Sequence, residues 1–230
     1  MKRIYKNVDV AETDGGFAIA LGGKPLKTPG GAALVLPTRA LADAVAEEWR
    51  GQGEDIVPGP LTRLANTAVE RTPRMRGDTA AQIMAFGGSD LLCYRAEAPR
   101  DLAARQAEAW DPLLDWATAR HGAALTVTAG IGFVDQPAES LSALERAVLA
   151  HDDFALTALH AAAALTGSLV LALALADGRL TAKEAFAASR IDESYQAQKW
   201  GEDAEASARA VRHLAQLESV ERFMRLSRPE

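Results

Sequence analysis

The sequence predicts an α+β protein: a small β-rich N-terminal domain carrying one packed helix, residues 1–58, then a larger, mainly helical domain, residues 59–230. Three observations carry that expectation. β-forming runs and glycine turns dominate the stretch before Thr38. Helical periodicity with recognisable end signals dominates from Pro58 onward. Alanine is abundant and aromatics make up only 6% of the chain, which favours helices packed through small side chains.

Residues 3–10, RIYKNVDV, are rich in β-formers. GFAIAL runs into Gly22 and Gly23 and then KPLKTP, two short runs joined by Gly-Gly in the manner of a hairpin. After the turn at Pro29, Gly30 and Gly31, ALVLP offers a further short strand. Thr38 stands where an N-cap belongs, ahead of a helix whose Leu41, Val45 and Trp49 recur at helical spacing and which Gly51 and Gly53 end.

Residues 60–71 and 73–88 read as helices, with Gly77 weakening the start of the second. SDLLCYR, residues 89–95, is a short apolar run, strand or extended. Residues 99–122 form a helix with Pro112 inside it, which predicts a kink or restart. LTVTAGIGFV, residues 125–134, is the one late strand candidate, and its 125–131 part could join the N-terminal sheet. Helices follow at 137–150, across 154–176, at 181–200 and at 203–226, with Thr181 and Glu184 spaced as a capping box. No repeat, low-complexity linker or coiled-coil heptad is visible.

Composition excludes several function classes. The net charge is −6 with a pI near 5.3 and no basic block, so there is no electrostatic case for nucleic acid or anionic lipid. Cys93 is the only cysteine, which rules out an intrachain disulfide and fits a reducing compartment. MKRIYKNVDV lacks the apolar stretch of a signal peptide, and Asp9 and Glu12 argue against a transit peptide, so the expected location is the cytoplasm of a bacterium. Residues 154–176 carry no formal charge and are long enough to span a bilayer. However, Thr157, His160 and Thr166 punctuate the run, TGS interrupts it at Gly167, and no aromatic belt or basic flank marks its ends. Buried helices at the centre of a bundle are expected there, without stable membrane insertion.

Catalytic patterns are missing. GGKPLKT lacks the first glycine of a phosphate loop, where Ala18 stands, and Pro25 follows Lys24. GFAIALGG lacks the dinucleotide-binding glycine spacing. His121, His151, His160 and His213 are not at metal-ligand spacing. HDD, residues 151–153, stands where one helix stops and the next begins, so its acids read as caps. There is no nucleophile elbow, and Cys93 between Leu92 and Tyr94 reads as an inert buried thiol. No catalytic, cofactor or metal residue is assigned and no cofactor is expected, which shifts weight toward a binding protein.

SRIDESYQAQKWGED, residues 189–203, is the densest polar and aromatic cluster. On a continuous helix, Arg190, Glu193, Ala197 and Trp200 fall within about 40° of Phe186, with Ile191 and Tyr195 nearly opposite. Glu193 thus stands on a stripe between two large aromatics, where a carboxylate is expensive to bury unless paired. Two readings follow. Glu193 is a surface residue, solvated or paired with Arg190, or it is a partly buried anion reserved for something outside the chain.

Several stretches together resemble one family: KPLKTPGGAALVLPTRALADAVAEEW, PLTRLANTAVER, SDLLCYRAEAP, WDPLLDWA and LALALADGRLTAKEAFAASRIDESYQAQKWGED. They are similar, in order and across nearly the whole chain, to the F1-ATPase assembly chaperone that binds the alpha subunit in alphaproteobacteria and mitochondria. The resemblance implies a non-enzyme with a β-rich domain followed by a helical one. It also implies a role in holding unassembled alpha subunit soluble until beta replaces it. Glu193 matches the acid, and Trp200 the tryptophan, of the family's E-x-Y-Q-x-x-x-W-G pattern. The partner-binding set implied is Glu193, Asp192, Gln196, Gln198 and Trp200, while Trp49, matching the tryptophan that ends the first helix, is expected to pack structurally between the domains. Two alternatives stay open: an enzyme joining Asp192 and Glu193 with His213, and a membrane-associated assembly factor using residues 154–176.

Overall fold

The computed structural model describes residues 2–130 and 132–229. It contains two compact units, each discontinuous in sequence: Met1–Arg76, Asp152–Ala158 and Ser219–Glu230 form one, Gly77–His151 and Leu159–Glu218 the other. The mixed architecture, a small strand region followed by a larger helical part, is the one expected.

The first unit is built on β1 (Val8–Thr13), β2 (Gly16–Leu21), β3 (Lys24–Pro25) and β4 (Val35–Leu36). β2 pairs antiparallel with all three others, Val8 opposite Leu21 on one side and Phe17 opposite Leu36 on the other. Gly22 and Gly23 make the expected turn, both at positive φ, the conformation a two-residue hairpin loop requires. The first strand lies later than residues 3–10, because a second tight turn at Asp14 and Gly15 sets its end. Ile19, Leu34 and Leu36 are fully buried, as are Leu41, Ala42, Val45 and Ala46 of α1 (Arg39–Arg50). Thr38 caps α1 as predicted, its hydroxyl accepting the Leu41 N–H at 3.1 Å. Trp49 is buried; its ring lies 6.1 Å from that of Tyr5, whose hydroxyl donates to the Trp49 carbonyl at 2.8 Å.

α2 (Pro60–Asn66) has no capping side chain of its own. Glu48 does that work from α1, accepting the N–H groups of Leu61 and Thr62 at 2.8 and 2.9 Å and the Thr62 hydroxyl at 2.6 Å. The expected helix over 60–71 is therefore only partly α: it passes into a π turn at Thr67–Arg71 and a tighter turn at Thr72–Arg74.

In the second unit α3 (Arg76–Gly88) leads to a short 3-10 turn at Leu91–Cys93 and to β5 (Tyr94–Arg95). α4 (Arg100–His121) runs unbroken through Pro112, against the kink or restart expected there. Trp110, Leu113 and Leu114 are buried on its inner side, while Pro112 and Glu108 are exposed, so solvent is available to the carbonyl that proline leaves without a donor. β6 (Thr128–Ala129) pairs in parallel with β5 and does not join the N-terminal sheet, correcting the expectation for 125–131; Ile131 lies outside the described residues. α5 (Ala138–Leu149) follows.

The uncharged run forms α6 (Asp153–Thr166) and α7 (Leu169–Ala176), separated where Gly167 takes a φ of +70° and Ser168 caps the second helix. All eight residues of α7 are buried, and among the described residues no helix is long and apolar enough to cross a membrane. Asp90 is fully buried beside it, its two oxygens accepting the Leu92 and Val170 N–H groups at 3.0 Å each. Burial pushes its carboxyl up to about 6 despite those bonds. Cys93 is buried, and its thiol is pushed up to about 12 by burial and by Asp90, as an inert thiol should be. α8 (Ala182–Ser189), α9 (Ile191–Trp200) and α10 (Ala204–Ser227) complete the chain.

The start of α6 and the end of α10 belong to the first unit. Asp152 caps α6 through the Ala155 N–H at 2.8 Å, the role expected of HDD. Asp153 pairs with Arg76 at 2.6 Å, Thr157 bonds Thr72 at 2.6 Å, Phe154 stacks on Phe223, and the Thr38 hydroxyl donates to the Leu226 carbonyl.

Candidate functional site

The predicted polar cluster lies on two helices rather than one. α8 opens with the expected capping box, the Thr181 N–H donating to Glu184 at 2.8 Å and the Glu184 N–H to Thr181 at 3.3 Å. Its far end is closed by two bonds that compete with the helical register. The Ser189 hydroxyl donates to the Phe186 carbonyl, and the Trp110 indole donates to the Ala188 carbonyl, both at 2.8 Å. Arg190, at φ −125° and ψ 26°, breaks the helix, and α9 restarts at Ile191. The continuous helix over 181–200 is corrected accordingly.

One side of α9 is fastened to α4. The buried Tyr195 donates to both Asp101 oxygens at 2.8 and 2.9 Å. Gln106 donates to Asp192 at 2.6 Å, and Arg105 donates to Gln198 at 2.7 Å while lying 5.2 Å from the Tyr195 ring centre. The Tyr195 hydroxyl, and then Lys199, hold the Asp101 carboxyl below its ordinary value. Burial and Asp101 raise that of Tyr195. Asp192 and Gln198 are thus engaged within the chain.

The opposite side of α9 faces an open groove of about 610 Å³. Phe186 and Arg190 line one wall, Glu193, Gln196, Ala197 and Trp200 another, and Ala206, Ser207 and Ala210 of α10 form a small-residue floor. Despite the break at Arg190, the stripe read from the wheel stays together in this groove. Gly201, at φ +94°, lets the chain turn from α9 toward α10. Glu193 lies 3.3 Å from Arg190 with half of its side chain (50%) exposed, and the Arg190 guanidinium is 5.7 Å from the Phe186 ring centre. Trp200 is 79% exposed, although tryptophan is normally among the most buried residues. Glu202 and Asp203 join Glu193 against the single Arg190, so the rim is acidic.

Neither Asp192 nor His213 lines this groove with Glu193. Among the described residues no cluster of His, Cys, Asp and Glu is placed to hold a metal ion. The floor was not singled out in the sequence, yet it carries a signal: Ala206 and Ala210 are spaced by one helical turn and leave room above them.

Comparison with known proteins points the same way. A family described as ATP12 chaperone protein matches residues 2–118. The chain is 46% identical to Atp12 from Paracoccus denitrificans, whose crystal structure it matches with a TM-score of 0.95 over 99% of this chain and 98% of that one. It is 43% identical to the Atu1473 protein of Agrobacterium tumefaciens, with a TM-score of 0.93 over 97% of this chain and 85% of that one. Mitochondrial protein atp12 of Schizosaccharomyces pombe is 25% identical over 219 residues, 87% of this chain and 74% of that protein. A match over half the sequence and a shared fold over nearly all of it place the chain in the ATP12 chaperone family.

Proposed function

We propose that this protein is a non-catalytic chaperone for assembly of the F1 sector of ATP synthase. It binds unassembled alpha subunit in the bacterial cytoplasm and keeps it from aggregating until beta takes its place. The observation that carries this reading is the exposed Trp200 beside the half-exposed Glu193 on an open groove. A large aromatic left in solvent next to adaptable polar groups is the composition of a binding hot spot. Glu193, Gln196 and Trp200 contact the client, while Asp192 and Gln198 act through their bonds to α4, holding α9 in place.

A free alpha subunit presents surface that is buried in the assembled hexamer, and such surface aggregates unless covered. The cover must later yield to beta. A partly polar groove suits that exchange better than a large apolar interface, which is hard to undo. The test is retention of purified alpha and of purified beta on the immobilised protein, each alone. Retention of alpha is expected; retention of beta alone would overturn the proposal.

A further inference from the structure

A second groove, in the first unit, has an unused donor and acceptor pattern of its own. It encloses about 460 Å³ and is lined by Pro29, Asn66, Thr67, Glu70, Arg71, Arg74 and Met75. It opens where α2 passes into the π turn at Thr67–Arg71, a local widening of the helix that recurs at functional sites. The surrounding segment is basic in an acidic chain: Arg63, Arg71, Arg74 and Arg76 stand close in sequence with Glu70 as the only acid among them, against a net charge of −6 overall.

Two of these arginines are spent within the protein, Arg63 on the Pro58 carbonyl at 2.7 Å and Arg76 on Asp153 at 2.6 Å. Arg71 and Arg74 are exposed, and although the Arg71 carbonyl accepts the Met75 N–H at 3.1 Å, neither guanidinium makes a hydrogen bond or close ion pair with any described residue. Glu70 forms no close ion pair with either, although the Arg74 charge is near enough to act on its carboxylate as the smallest of the influences on it. Its carboxylate is turned into the Pro29 turn, accepting the Gly30 N–H at 3.1 Å, and the Gly30 and Thr28 bonds hold it below the usual carboxylate range. Gly30 is required for that approach, since a Cβ there would fall 1.8 Å from a Glu70 oxygen. Asn66 completes the pattern: its side-chain oxygen is buried and has no donor.

The groove therefore holds two donors lacking acceptors and one acceptor lacking a donor. We propose that it binds an extended, acidic peptide segment of a partner protein, whose carboxylate bridges Arg71 and Arg74 and whose backbone N–H reaches Asn66. Pro29 and Met75 supply apolar walls for the intervening side chain. Guanidinium–carboxylate pairing provides charge complementarity. A lipid phosphodiester would satisfy the arginines but is itself no donor for Asn66, whereas a peptide carries its carboxylate and its backbone N–H groups at fixed spacing on one chain, which favours the peptide.

Fluorescence anisotropy of the full chain tests this with a fluorescein-labelled Gly-Ala-Glu-Asp-Leu-Ala peptide and its Gly-Ala-Gln-Asn-Leu-Ala counterpart. The acidic peptide should bind about tenfold tighter or more, and more weakly as salt is raised. The Arg71→Gln/Arg74→Gln double variant should lose that preference with an unchanged melting curve, since neither side chain holds the fold. Equal binding of the two peptides, no saturable binding at millimolar concentration, or a preference retained by the double variant would each overturn the proposal. So would capture of phosphatidylglycerol vesicles in preference to the peptide.

Discussion

Trp49 and Trp200 occupy similar local positions, each in the last turn of a helix with a glycine just beyond, and meet opposite environments. Trp49 is 7% exposed, its ring beside Tyr5 and its carbonyl bonded by the Tyr5 hydroxyl. Trp200 is 79% exposed over an acidic groove. Two carboxylates repeat the contrast: Asp90 is fully buried and joins two backbone segments, whereas half of the Glu193 side chain meets solvent. The same residue type stabilises the fold when a neighbouring element covers it and becomes available to a partner when none does.

The largest expected effect is at the buried tryptophan. Trp49→Ala should cost about 3–5 kcal/mol in urea unfolding, because it removes a large buried ring and leaves a cavity. Normal unfolding combined with lost client binding would break the comparison, making Trp49 a contact residue. Asp90→Asn comes next, at about 1–3 kcal/mol near neutral pH, since an amide cannot accept the Leu92 and Val170 N–H groups at both ends.

Asp90 also gives a sign that can be checked. Its carboxyl lies at about 6 in the folded chain against an ordinary 3.8, so the folded form binds a proton in that window that the unfolded form does not. The stability added by proton uptake at Asp90 is therefore absent above the folded value and grows as pH falls through it, on top of the hydrogen bonds the side chain makes at any pH. Between about pH 7.5 and about pH 5 the wild type should gain about 1 kcal/mol over Asp90→Asn. An unchanged gap would mean that the carboxylate stays ionised in the core.

The exposed members of each pair should barely register in stability. Glu193→Ala breaks an ion pair whose Glu193 half is half-exposed, so about 0–0.5 kcal/mol is expected from losing that pair. Trp200→Ala should stay within about 0.5 kcal/mol of wild type while weakening client binding. A large loss of stability from Trp200→Ala would show that the ring packs against the protein after all.

Local signals in the sequence suffice where the structure depends on neighbours in the chain. The Thr38 cap, the Gly22 and Gly23 turn, the Thr181 and Glu184 box and the interruption at Gly167 are all set within a few residues. What was not legible depends on distant partners. The break at Arg190 is fixed in part by Trp110, which reaches the Ala188 carbonyl from 78 residues away. Asp192 and Gln198 read as free polar groups because their partners, Gln106 and Arg105, lie on another helix. The 125–131 strand found β5, since parallel pairing leaves no short-range trace. Periodicity still gathered Glu193, Ala197 and Trp200 onto one side, because that spacing falls within α9 alone.

Light scattering by isolated alpha subunit, with wild type or Glu193→Lys at matched concentration, tests the central claim most directly. Charge reversal at a half-exposed rim position should leave the melting temperature close to wild type and abolish suppression of alpha aggregation. Undiminished protection by a folded Glu193→Lys variant would contradict the account, and so would unfolding of that variant.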